Sequence, residues 1–164
     1  MKKDLLILEA DKYYARKRIV ELDDEIIALG PEFNKALTQT SESWHDNAPF
    51  EFVRDKHALL ATELHNLDHI LRNSLPSIPK QKKGIVGIGS KVQILNLKTN
   101  KLSSYFIAGD WTSRAGHKIN ESIIMSRKSP LALNLIGKTI DDEVFFRAPY
   151  VIKNIEHQDD TVYS

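Results

Sequence analysis

The chain has 164 residues, 41% of them hydrophobic and 27% charged, with a formal net charge of +1 and no cysteine. A near-neutral chain does not hold duplex DNA by charge alone, and the lack of cysteine excludes disulfides and thiolate zinc sites. No apolar run is long enough to span a bilayer, and the acid-interrupted start from Met1 to Ala10 lacks a small-residue cleavage site, so it reads as a helix start in a cytoplasmic protein.

Charge is unevenly spread. Through Leu75 there are 10 Lys and Arg against 14 Asp and Glu, and from Pro76 onward 13 against 8. Two heptad stripes dominate the acidic half. Ile19, Leu22, Ile26, Leu29 and Phe33 are spaced 3, 4, 3, 4; Val53, His57, Leu60, Leu64, Leu67 and Leu71 are spaced 4, 3, 4, 3, 4. Two such stripes joined by a polar stretch predict an antiparallel coiled-coil hairpin. The first helix is expected from near Asp4 to about Thr38, bent at Gly30-Pro31 because proline removes a backbone donor. The second is expected from near Asn47 to about Asn73, with proline in its first turn and Asp46 at or near the N-cap. Residues 38–49 form the tip.

Leu75 to Ser90 holds two prolines, three glycines and a basic patch, and periodicity is lost there. It is read as a boundary, giving a finger over 1–75, a linker over 76–90 and a second domain over 91–164. In that domain the period becomes 2. Strands are expected at 91–97, 102–108, 143–146 and 150–155. A short helix is expected over Ser129–Lys138, with serine capping and proline in its first turn. The fold class is therefore α+β: a helical hairpin followed by a small antiparallel-sheet domain with one helix.

Ser126-Arg-Lys-Ser-Pro-Leu-Ala-Leu-Asn-Leu-Ile-Gly-Lys138, followed by Asp141-Asp-Glu-Val144, resembles the C-terminal signature of the bacterial Gre factors, GreA and GreB. Phe106-Ile-Ala-Gly-Asp-Trp111 is similar to that family's Val-Gly-x-Glu strand exit. Gly30-Pro-Glu-Phe33 and His45-Asp-Asn-Ala-Pro-Phe50 stand where the family has Pro-Glu-Ile and Ser-Glu-Asn-Ala-Glu-Tyr. The resemblance covers nearly the whole chain in the same order. It implies a coiled-coil finger and an FKBP-like domain, and a monomeric partner of bacterial RNA polymerase with no sequence-specific DNA binding. In the family the second domain docks at the rim of the secondary channel through the turn that Ser129 and Pro130 occupy here. The finger reaches the active centre and, indirectly, the nascent RNA 3′ end. Two tip acids there help hold a second Mg²⁺, and the polymerase cuts its own transcript. The factor assists that activity and is not itself an enzyme.

The tip carries Glu42, Asp46 and Glu51 in a window, between Lys35 and Arg54, with no basic residue. Carboxylates suit a hard cation, but Mg²⁺ takes only one or two from a protein and keeps other ligands, so a tip of this kind needs further carboxylates from its partner. Aligned on Asn47, Asp46 replaces the glutamate of the Gre tip, Ser43 replaces its aspartate, and Glu42 lies one residue upstream. Asp46 is read as a metal-directing acid, as a helix N-cap, or as both; capping alone is worth about 1 kcal/mol. Some Gre homologues occupy the channel without stimulating cleavage, and this tip suits either kind.

The other constellations have plainer readings. His65 and His69 have one-turn spacing without a third ligand and are read as solvated; His57, on the seam, is read as a register-setting polar core residue. Lys12 to Arg18 is a basic, aromatic stretch read as a solvated helix face, and Lys80 to Lys83 as linker. A second function class, prolyl isomerase, would need an aromatic-lined pocket, but adjacent aromatics in strands point to opposite faces.

Overall fold

The computed structural model describes residues 4–42 and 48–158. The chain order is α1 (Glu9–Glu42), α2 (Ala48–Asn73), β1 (Ser90–Asn96), β2 (Leu102–Ala108), β3 (Lys118–Ile119), β4 (Ser122–Ser126), α3 (Pro130–Leu135), β5 (Glu143–Phe146) and β6 (Ala148–His157). Two compact units result: Tyr13–Arg72, and Met1–Lys12 together with Asn73–Ser164.

The first unit is the hairpin. Its α1 seam runs further than the large apolar residues suggest. Ala15 and Ala36 are buried with Leu22 and Leu29, which extends the 4, 3 spacing at both ends. Near the tip, Leu29, Ala36 and Val53 form a core against which Phe33, Phe50 and Leu60 pack. His57 is a correction: it is exposed, because Phe33 and Leu60 fill the seam at that level. The imidazole lies edge-on to Phe33, with ring centroids 6.0 Å apart. α1 continues unbroken through Pro31. Beside the seam, Arg18 makes two hydrogen bonds to Glu63, Nε to Oε1 at 2.8 Å and Nη2 to Oε2 at 3.1 Å, and a third to Glu25 at 2.7 Å. Glu32 faces Lys56 at 3.9 Å. The Glu63 and Glu25 bonds raise the Arg18 pKa, and the Arg18 bond lowers that of Glu63. Forked ion pairing of this kind sets register between antiparallel helices.

The second unit is a six-stranded sheet in the order β3-β4-β2-β1-β6-β5. The expected antiparallel sheet is corrected to a mixed one. β2 pairs with β4 in parallel, through Tyr105–Ile123 to Ala108–Ser126. The excursion between them carries the short β3, which no period-2 pattern of two residues can announce. α3 ends earlier than expected, at Leu135, with Gly137 at φ 85° just beyond.

Both faces of this sheet are covered. One packs Val92, Ile94, Ile107, Met125 and Ile152 against Ala132 and Leu135 of α3. The other packs Ile88, Phe106, Ala108 and Ile124 against Leu8, with Leu6 and Ile78 at its margin. Neighbours in sequence alternate between faces, as the pleat requires.

Three further expectations are corrected here. Residues 4–8 are not helical. Leu5 bridges Ser74 in parallel, and Asp4 and Leu5 donate to the Asn73 carbonyl at 3.1 Å, so the arm finds its backbone partners across the chain. Residues 76–90 are not a free linker. Val86 and Ile88 are buried, one on each face of the sheet, and Val86 exchanges backbone bonds with Lys138 and Gly137 at 2.9 Å. Lys12 is buried rather than solvated. Its ammonium donates to Glu9 at 2.6 Å and to the carbonyls of Leu75 and Pro76 at 2.8 and 3.1 Å, which uses all three N–H groups.

Asp11 is buried with Oδ1 accepting from the Thr112 hydroxyl at 2.8 Å, and Oδ2 has no hydrogen-bond partner. Burial pushes its carboxyl from 3.8 up to about 6, against the partial offset of the Thr112 bond. A carboxyl whose pKa is raised on folding stabilises the fold below its unfolded value and loses that contribution as pH rises through 3.8 to about 6, a loss of about 3 kcal/mol. Asp11→Asn is expected to flatten the denaturant midpoint between pH 4 and pH 7 (roughly this window) and to exceed wild type at neutral pH. A fragment beginning at Lys91 lacks Val86 and Ile88 and is expected to show no cooperative thermal unfolding by circular dichroism.

Candidate functional site

The sequence places candidate chemistry at two positions. At the hairpin tip, Glu42 is the last residue of α1. Asp46 lies outside the described residues. At the surface of the sheet unit, the turn before α3 carries Ser129 and Pro130.

Ser129 is the N-cap of α3, with extended backbone at φ −66° and ψ 147°, and its side-chain oxygen accepts from the Ala132 N–H at 3.3 Å. Pro130 fills the first helical position, where a missing N–H costs nothing, and is exposed. The cap is continuous with a wider turn. The Ser129 N–H donates to the Ser126 carbonyl at 2.9 Å, and the Ser126 hydroxyl donates to the carbonyl of Gly109 at 3.1 Å.

One carboxylate fastens this turn. The Asp110 side chain is 2% exposed. Its Oδ1 accepts from Arg127 Nε at 2.7 Å and lies 3.5 Å from Lys128 Nζ, and its Oδ2 accepts from the Leu6 N–H at 2.7 Å. The Asp110 N–H in turn donates to the Leu6 carbonyl at 2.7 Å. Gly109 allows this approach: a Cβ there would lie 2.1 Å from the Leu6 oxygen. Burial by itself would push the Asp110 pKa up, but the Leu6 and Arg127 bonds and the two neighbouring cations outweigh it and hold the carboxyl below its usual value. Asp110 and Arg127 were not candidates from sequence. The signal that marks them is Gly-Asp at a strand exit together with a basic pair just ahead of Ser-Pro.

Other sequence candidates are not brought together. His65 and His69 are exposed, and no group of three or more His, Cys, Asp or Glu suited to a metal occurs among the described residues. The aromatics that an isomerase pocket would need divide between the two faces, Phe106 with Leu8 and Tyr105 with Val92 and its neighbours. The cavity bordered by Phe106 holds about 20 Å³ and has no second aromatic in its lining. No helix among the described residues is long and apolar enough to cross a membrane.

A buried strand-exit acid thus fastens the turn that leads into an exposed Ser-Pro helix cap. Residues 80–156 match the family described as Transcription elongation factor, GreA/GreB, C-term. The transcription elongation factor GreA of Staphylococcus aureus is 32% identical over 99 residues, 60% of this chain and 60% of that protein. This chain thus spans about three-fifths of the length of the curated relatives it matches. Two solved structures are also similar. The GreA factor homolog 1 protein of Thermus thermophilus shares 14% identity over 93% of this chain and 99% of its own, with a TM-score of 0.42. The GreA/GreB elongation factor of Nitrosomonas europaea shares 14% over 65% of this chain and 93% of its own, with a TM-score of 0.38. Residues 80–156 are thus similar to the C-terminal part of GreA/GreB factors.

Asp110→Ala is expected to cost about 2–3 kcal/mol, the value of hydrogen bonds to a charged group plus the stranded Leu6 N–H. Because the Asp110 pKa is lowered on folding, its contribution is present above pH 3.8 and lost as pH falls below it. Chemical denaturation of both proteins at neutral and acid pH checks this: the gap between wild type and variant narrows at the acid end.

Proposed function

We propose that this protein is a transcription elongation factor that binds bacterial RNA polymerase and acts through its secondary channel, promoting cleavage of backtracked transcripts. The observation that carries this reading is the match of residues 80–156 to the GreA/GreB C-terminal family, in a domain whose Ser129–Pro130 turn is held at the surface by Asp110. In this reading the turn docks on the polymerase and the helical hairpin delivers the tip. Pre-ordering the turn lowers the conformational cost of docking.

The tip would contribute carboxylate oxygens from Asp46 and Glu42. These are hard donors of the kind Mg²⁺ takes, and two of them fit an ion shared with a partner that completes its shell. When held there the ion supplies charge for activating water. This chain's share is to bring oxygen donors and negative charge to that place. The polymerase performs the cleavage, so the protein is proposed as an accessory factor and not as an enzyme.

A second reading rests on one observation. Ser43 stands where the Gre tip has an aspartate, which leaves Asp46 with a partner acid, Glu42, at a different spacing. A tip of that kind could occupy the channel and slow nucleotide addition without promoting cleavage.

The test is transcript cleavage in a backtracked elongation complex with cognate polymerase. Wild type is expected to stimulate cleavage and Asp46→Asn to abolish the stimulation with stability unchanged, because asparagine caps a helix as well as aspartate but lacks the charge. Equal stimulation by both would remove Asp46 from the metal-directing role. Slowed nucleotide addition without cleavage by wild type would select the second reading, and failure to bind polymerase would exclude both.

A further inference from the structure

The hairpin leaves a second stripe on α1 that the seam does not use. With the seam residues at heptad positions a (Ile19, Ile26, Phe33) and d (Ala15, Leu22, Leu29, Ala36), Tyr13, Val20 and Ile27 all fall at position b. They are 69%, 62% and 74% exposed. Single exposed apolar residues are ordinary, but three large ones at a strict spacing of seven make a line along one face.

The charges beside this line are ordered. Positions e and f flank b on the helix surface. N-terminal to Val20 they hold Arg16 and Lys17; C-terminal to it they hold Asp23 and Asp24. All four are exposed. Lys17 has one long contact to Glu21, at 3.9 Å, and Arg16, Asp23 and Asp24 make no ion pair among the described residues.

This arrangement is its own complement under a two-fold axis. Place the axis at Val20, perpendicular to α1, and let a second copy of the helix run antiparallel. Val20 then meets the second copy's Val20, and Tyr13 meets the second copy's Ile27. On one flank Arg16 meets the second copy's Asp23, and on the other Lys17 meets the second copy's Asp24. Symmetry repeats each contact, so both flanks are matched throughout. A parallel pairing would set like charges together. Isologous two-fold contacts require this self-complementarity, and antiparallel helices pair equivalent flanks.

We propose that the Tyr13–Val20–Ile27 face of α1 is a self-association surface, occupied by the same face of a second copy in antiparallel two-fold contact. The contact spans roughly 21 Å of helix, the scale of weak, concentration-dependent interfaces. It differs from the expectation of a monomer. The inference is independent of the polymerase reading, since it rests on the hairpin alone.

The chain has no cysteine, which permits a direct geometric test. An axis through Val20 brings two copies of that residue together, so Val20→Cys should form a symmetric disulfide-linked dimer under a mild thiol oxidant. The control is Leu59→Cys on α2, at a position 73% exposed. Val20→Cys is expected to cross-link at least about tenfold faster, because association raises the local thiol concentration. Equal rates overturn the proposal. Sedimentation supplies the second measurement and keeps the native Val20. Arg16→Asp with Lys17→Asp, and separately Asp23→Lys with Asp24→Lys, should each abolish self-association. An equimolar mixture of the two should restore it as a heterodimer. Self-association that survives either reversal, or a mixture that stays monomeric while wild type associates, refutes the antiparallel geometry.

Discussion

The sheet unit depends on one buried carboxylate. Asp110 joins three segments far apart in sequence: the arm at Leu6, the end of β2 that it follows, and the turn at Arg127. An ionised group with little exposure is costly unless every lone pair is used, and here a backbone N–H and a guanidinium take the two oxygens while Lys128 adds charge. The short contact needs Gly109, since any side chain there would strike the Leu6 carbonyl. Three consequences meet at this point. The arm closes over the second face of the sheet, the parallel β2–β4 pair is held at its exit, and the turn ahead of the Ser-Pro cap is fastened.

The hairpin is organised differently. Its stability comes from a repeated local pattern and not from one polar centre. Larger residues run along the α1 seam between Ala15 and Ala36 at its ends, and the forked Arg18–Glu63 pair guards one flank. The partly exposed pair contributes less energy than register, because screening by water reduces its strength while its geometry still penalises a slip. Nearest the tip, the described core is small and aromatic-rimmed, with Phe33 and Phe50 edge-to-face at 6.0 Å.

The sheet unit carries a capped helix start, fastened through Asp110. The hairpin carries the acids that distinguish this chain, where Ser43 and Asp46 depart from the Gre pattern. Residues 80–156, which match the GreA/GreB C-terminal family description, all lie in the sheet unit.

The hairpin, the change of period after it and the capped α3 were legible because each is written in neighbours. Heptad spacing places Leu22 and Leu29 on one face whatever else the chain does, and Ser129-Pro130 caps a helix through a bond only three residues long. Ala15 and Ala36 were missed because alanine carries little apolar signal, and His57 was overread because heptad position alone does not report what a neighbouring Phe33 already fills. Only the tertiary structure decided the rest. The non-helical arm at 4–8, the burial of Val86 and Ile88 in a stretch rich in glycine and proline, the parallel placement of β4 and the role of Asp110 all rest on partners distant in sequence, the Leu6–Asp110 bond spanning 104 positions. Local propensity is a property of adjacent residues and can be read along the chain. A buried charge acquires its partners only when the fold closes, so its role is set by the residues that arrive around it.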